Sequence, residues 1–361
     1  MVHSEDMSVE MAEDGSRSKI FTEKETSKLA KADKKKDKSK KSSSKAPETA
    51  TNGSAIPSKE LQLQPIQPPK GFLPFSHNVV TPEIEKYAAE KLNETEETRA
   101  KALEEFKELV YGDPDLHIEG DEKLALIWLR SKKFDAKKAF DFLKLGLHYV
   151  ESYRYLLERR DPEIIRKVNS LGMFGFLQYR DPDGRAIMYA RADKWDSSEI
   201  PAWDAIFSGM MAVQDAGHNP VNQIVGFVVI LDLKDLKIQQ VLAMSRWMIF
   251  GTVLLQRACP CFLKAFHVIN IPPFYKIGWK LVKPLLSEKI RKRFIFHKST
   301  DLSTLYEHIP KDILPPELGG GVPFTNEHWS KNIDKIEENY YYYLSNNFMK
   351  SRRKNKTASR S

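Results

Sequence analysis

Apolar residues repeat with one period in the first half of the chain and with another in the second. From Thr81 to about residue 170 they recur three and four positions apart, the spacing of a helix face. Thr81-Pro82-Glu83 supplies an N-cap and a proline at the first helical position. The stretch EIEKYAAEKLNETEETRAKALEEFKELV then continues in strong helix formers to Val110. After a loop, YGDPDLHIEG, the segment DEKLALIWLRSKKF sets Leu124, Ile127 and Trp128 on one stripe. Asp135 is placed to cap the next helix, which should bury Phe140, Leu143, Leu147, Val150 and Leu157.

Beyond residue 170 the pattern becomes that of strands. GFLQYRDPDGRAIMYARADKW reads as two strands joined by an Asp-Pro-Asp-Gly turn. PAWDAIFSGMMAVQDAGH is helical. IVGFVVILDLKD is apolar without a polar face, the signature of a central strand covered on both sides. IQQVLAMSRWMIFGTVLLQRA is an apolar helix, KAFHVINIPP another buried strand, and RFIFHK a further one. STDLSTLYEHIPKDILPPELGGG ends the domain with a short helix and a glycine stop. Strands alternating with helices predict an α/β domain with a mostly parallel or mixed sheet and crossover helices.

One segment is both among the most apolar and among the most basic. In NIPPFYKIGWKLVKPLLSEKIRKRF, read as a helix from Ile271 to Leu286 at about 100° per residue, Lys276, Lys280 and Lys283 share a narrow stripe. Phe274, Ile277, Trp279, Leu281, Val282, Leu285 and Leu286 cover the rest, a wider apolar arc than one packing surface needs. Pro284 should break the helix. Lys289, Arg291, Lys292 and Arg293 follow as a dense basic run. A broad apolar face edged by cations is the composition of a helix that lies in a membrane interface; an ordinary amphipathic helix over the core is the plainer alternative.

Charge sharpens the picture. The net charge is +8, but residues 28–45 carry +7 and residues 350–361 carry +6, so the remainder is −5. Any basic site on the body must therefore be local. Residues 1–75 are expected to be a disordered Lys/Ser-rich tail and a Pro-rich linker; the tail is a solvated segment, a membrane tether or a nuclear signal. Residues 326–361 are expected to form a helical extension and a basic tail. The N-terminal stretch lacks the apolar core of a secretory signal, and IVGFVVIL, from Ile224 to Leu231, is too short to span a bilayer. Cys259 and Cys261 stand too close for an easy disulfide and too isolated for a metal site, so no metal is expected. The sequence holds no nucleophile elbow, no zinc-protease motif, no P-loop and no dinucleotide-binding glycine pattern, which argues against an enzyme; no cofactor is expected.

Four stretches carry a family resemblance: WLRSKKFDAKKAF, YRDPDGRAIMYARADKWD, KAFHVINIPPFYKIGWKLVKPLLSEKIRKR and LPPELGGG. Over residues 80–325 the chain resembles the CRAL-TRIO, or Sec14-like, lipid-binding family, on the branch of the tocopherol-transfer, retinaldehyde-binding and clavesin proteins. The resemblance implies a helical N-terminal subdomain at 76–168 and, at 169–325, an α/β sandwich whose mixed sheet floors an apolar cavity under a lid helix. It implies a phosphoinositide-binding cleft at Lys132, Lys264, Lys289 and Arg293, where Lys132 replaces an arginine and Phe262 replaces a basic residue. It implies a cavity lined by Gly209, Val213, Phe227, Val229, Leu231, Leu254 and Leu255, with Trp279, Leu281 and Val282 from the lid. Gly209 and Val213 replace small hydroxyl residues, which makes the pocket drier, and Asp235 stands where the family writes glycine.

The resulting expectation is a cytoplasmic, peripheral, monomeric carrier of a retinoid, tocopherol, carotenoid or similar lipid, exchanging cargo at anionic phosphoinositide membranes. A phosphatidylinositol or phospholipid transfer protein remains the alternative. A nucleic-acid or partner binder using the basic tails is the reading from another class, although the acidic body speaks against nucleic acid.

Overall fold

The apolar strands of the second half lie side by side in one sheet. A computed structural model describes residues 69–116, 122–152, 161–244, 247, 259–260, 262–298 and 301–345. The sheet comprises β1 (Phe174–Phe176), β2 (Ala186–Arg191), β3 (Phe227–Asp232), β4 (Leu263–Ile269) and β5 (Phe294–Phe296), in that spatial order. β1 runs antiparallel to β2, and all later pairs are parallel, so the sheet is mixed. The β1–β2 connection is closed by Asp181, whose carboxylate accepts from the backbone N–H of Asp183 and Arg185, with Gly184 at φ +77° completing the turn. The Pro-rich segment before the first helix joins this sheet: Pro74 bridges Tyr179, and Phe75 stacks on Phe176 at 4.6 Å. Buried Arg180 fastens it by donating to the carbonyls of Pro74, Phe75 and His77.

Preceding the sheet are α1 (Pro82–Leu92), α2 (Glu96–Tyr111), α3 (Glu122–Ser131), α4 (Ala136–Ser152) and α5 (Pro162–Ser170). Asp135 caps α4 as expected, accepting from the Lys138 N–H at 2.9 Å. α3 turns a different face inward from the one its larger side chains suggest. Ala125 and Leu129 are its buried apolar residues, whereas Leu124, Ile127 and Trp128 are half-buried. The reason is electrostatic: Arg130 is buried against Glu94 at 2.7 Å and donates to Gln223, which sets the rotation of the helix.

α6 (Ala202–Gly217) and α7 (Pro220–Val225) connect β2 to β3, and residues 238–244 begin the helical connection from β3 to β4. α1 seats Ile84, Ala88 and Leu92 on Val221, Ile224 and Val225 of α7. The expected helix from Ile271 to Leu286 is shorter than predicted. α8 covers Tyr275–Val282, and a 3₁₀ turn at Lys283–Leu285 follows, then α9 (Glu288–Arg291). Pro272 and Pro273 delay its start, and Pro284, without an N–H, ends it. α10 (Ser303–Tyr306) and α11 (Glu327–Ser345) complete the described chain.

The two faces of the sheet differ. On one, Ile187, Val228, Ile230 and Ile269 close against Leu305, Ile309, Ile313, Leu314 and Leu318, nearly all without exposure. On the other, Met188 and Val229 pack with Phe207 and Met211 of α6 and with Trp329 of α11, while Leu231 and Phe266 are only partly covered. Among the described residues no helix is long and apolar enough to cross a membrane.

Candidate functional site

Lys132, Lys264, Lys289 and Arg293 come from four places in the chain and converge. Lys132 follows α3, Lys264 lies in β4, Lys289 in α9, and Arg293 just before β5. Lys289 adds to the positive field at Lys132, and Arg293 adds to it at Lys264 and Lys289.

Local structure explains each placement. α3 ends in a turn in which Lys133 and Phe134 both take left-handed φ values, +56° and +60°, with the Phe134 N–H donating to the Leu129 carbonyl. Lys264 is the extra residue of a β-bulge: Phe227 pairs with Leu263 and Val228 with Ala265, which leaves Lys264 without a partner on β3. Bulges of this kind re-aim a side chain. Its ammonium donates to the Tyr87 hydroxyl at 3.3 Å and lies 5.1 Å from the Phe262 ring centroid. Gly226, at φ +86°, permits the close approach, since a Cβ there would fall 2.2 Å from the Phe262 carbonyl oxygen and 2.8 Å from Lys264 Cε. The Lys132 ammonium sits 3.2 Å from the centroid of Phe142.

Burial holds the Lys132, Lys264 and Lys289 ammonium groups below the usual lysine range, and neighbouring cations lower them further. Among the described residues none of these three, nor Lys133, meets a carboxylate at ion-pair distance. Such a cluster favours an incoming anion. Two cations that the motifs did not mark belong to it: Lys133 acts on Lys264 and Lys289, and Arg185 acts on Lys264. Arg185 is committed to Asp181 and Asp183, at 2.6 and 2.7 Å. Nothing in the sequence near Lys133 indicates that its turn faces β4, because that proximity is made by the fold.

The expected cavity residues are spread along the partly covered face. Gly209 and Val213 lie on α6, and Phe227, Val229 and Leu231 on β3. Phe227 and Val229 pack on the protein's own core, whereas Val213 and Leu231 are half-covered. Leu254, Leu255 and the side chain of Leu281 lie outside the described residues. Trp279 of α8 meets Phe294 at 4.7 Å and Phe296 at 5.0 Å, and Phe294 stacks on Phe266 at 4.4 Å. Val282 on the same helix is half-buried. Sequence reasoning missed Phe266, Phe294 and Phe296; the alternation of Phe294 and Phe296 along RFIFHK was the available signal. Asp235 has φ +54°, the left-handed region that favours glycine and that aspartate tolerates.

Residues 170–320 match the CRAL/TRIO domain. The match takes in β1 to β5, α8 and three of the four expected cations, leaving Lys132 and Lys133 in the helical region before it. The chain is 27% identical over 295 residues to the alpha-tocopherol transfer protein-like protein of Mus musculus, covering 81% of this chain and 84% of that one. It is 28% identical over 284 residues to clavesin-1 of Xenopus laevis, covering 75% and 84%. Among solved structures, that of Sfh5 aligns with a TM-score of 0.42 and 17% identity over 72% of this chain and 98% of that one. Among the described residues no group of three or more His, Cys, Asp or Glu is arranged to hold a metal.

Proposed function

We propose that the protein is a non-enzymatic carrier for a hydrophobic small molecule, held against the partly covered face of the CRAL/TRIO sheet and exchanged at membranes bearing phosphoinositides. The observation that carries this reading is the convergence of Lys132, Lys264, Lys289 and Arg293 beside α8–α9, the connection whose apolar helix rests on β5. An anionic headgroup drawn to the cluster would bring α8 to the bilayer surface, where Trp279 and its neighbours have an apolar alternative to Phe294 and Phe296. Each cation near an anionic leaflet contributes about 1 kcal/mol, so four give reversible binding. The name of the murine relative fits a lipid cargo of the tocopherol kind.

Two measurements test the reading. Lys289→Ala/Arg293→Ala should lose sedimentation with phosphatidylcholine vesicles doped with bisphosphorylated phosphatidylinositol while retaining its extracted cargo; undiminished sedimentation would reject the headgroup role. Native mass spectrometry of the protein should show a retinoid, tocopherol, carotenoid or related lipid. A diacyl phospholipid in that position would instead make it a phospholipid transfer protein.

A further inference from the structure

The resemblance leaves the cluster one cation short, because Phe262 occupies a position where the family places a basic residue. The fold supplies a cation from elsewhere. Arg130 anchors the end of α3 to Gln223 on α7. Three residues after Gln223, Gly226 is packed under the Phe262 carbonyl and the Lys264 stem. The turn that follows Arg130 is thereby tied, through α7 and Gly226, to the start of β4. Lys133 is the exposed residue of that turn, and its charge reaches both Lys264 and Lys289. Its backbone is held at φ +56°, a conformation that persists in a non-glycine residue only where the surroundings fix it. Phe262 meanwhile offers its ring to the Lys264 ammonium, so the position has changed from a charge to a support for a charge.

We infer that Lys133 is a headgroup-binding residue that replaces, from the helical region, the cation absent at Phe262. The inference rests on the phosphoinositide reading above and deepens it. Arg185 is engaged by Asp181 and Asp183, and the other cations of the cluster are Lys132, Lys133, Lys264, Lys289 and Arg293. A phosphomonoester carries about −1.5 to −2 charges near neutral pH, so this set matches an inositol headgroup with at least two phosphates.

The test uses the full chain and the same bisphosphorylated-phosphatidylinositol vesicles, with soluble inositol trisphosphate as a second arm. Lys133→Ala keeps the Cβ that the left-handed backbone already accommodates, so its unfolding midpoint should match the parent. It should bind the vesicles and the soluble headgroup about fivefold more weakly in both arms. Lys335→Ala removes the same charge from α11, which packs on α5 and α6, and should leave both arms unchanged. Adding Phe262→Lys to Lys133→Ala should restore binding. Parental binding by Lys133→Ala, alongside loss in Lys289→Ala/Arg293→Ala, would overturn the inference and leave the headgroup reading intact. Equal losses in Lys133→Ala and Lys335→Ala, or a loss confined to the vesicle arm, would also overturn it, the first as bulk charge and the second as bilayer contact. Parental binding by all the variants would reject the headgroup reading itself.

Discussion

His267 Nδ1 lies 3.0 Å from His297 Nε2, joining the middle of β4 to the residue that follows β5. The second His297 nitrogen, Nδ1, is 2.8 Å from the Thr304 hydroxyl. Both imidazoles are buried, with the His308 ring 5.1 Å from that of His267. A hydrogen bond between two imidazoles needs one donor and one acceptor, so it exists only while at least one ring is neutral. Burial, followed by the neighbouring histidines and Arg185, pulls His267 down to about 3, and burial and His308 lower His297 although Glu307 opposes them.

That pair should make stability depend on pH on the acid side. An unfolded histidine binds its proton near pH ~6.5, and folded His267 near 3. Between those values the unfolded chain holds more protons, so stability is complete above the upper value and lost as pH falls toward the lower. The limiting slope is about 1.4 kcal/mol per pH unit for one group. Urea titrations between about pH 7 and pH 5 should show this decline, and His267→Gln should flatten it. A decline of equal slope in the variant would remove the pair as its cause.

Trp279 should hold α8 on β5. Its indole bridges Phe294 and Phe296, and replacing it with alanine removes most of that half-buried surface, at a cost of about 1–2 kcal/mol locally. Hydrogen exchange in Tyr275–Val282 should accelerate in Trp279→Ala while the amides of β2 and β3 keep their protection. Uniform acceleration across the sheet would mean that Trp279 supports the whole core rather than the position of one helix.

Gly226 should tolerate no side chain. Its φ is +86°, and a methyl group there would overlap the Phe262 backbone oxygen, which cannot move without shifting β4. Gly226→Ala is expected to lower stability by about 2 kcal/mol or more. It should also weaken vesicle binding, because Lys264 lies against the same residue. Calorimetry and sedimentation of one preparation would check both; an unchanged melting temperature would contradict the packing.

Much of this architecture could be read along the chain because it is local or periodic. The apolar runs in FVVILD and LKAFHVI mark inner strands, and they are β3 and β4. Asp135 caps its helix, and the Asp-Pro-Asp-Gly turn joins β1 to β2 as its residues require. Pro284 stops the basic, apolar helix, because a residue without an N–H cannot continue it.

What depended on tertiary structure was which distant residues meet. The rotation of α3 follows the Arg130–Glu94 pair, not the size of its apolar side chains, since burying an unpaired guanidinium costs more than leaving Trp128 half-covered. The bulge that frees Lys264 arises from pairing with β3, and no residue type by itself encodes a pairing register. The motifs pointed to Lys132, Lys264, Lys289 and Arg293 and gave no sign of Lys133: a charge acts through distance in space, and only the folded chain sets Lys133 where its charge acts on Lys264 and Lys289.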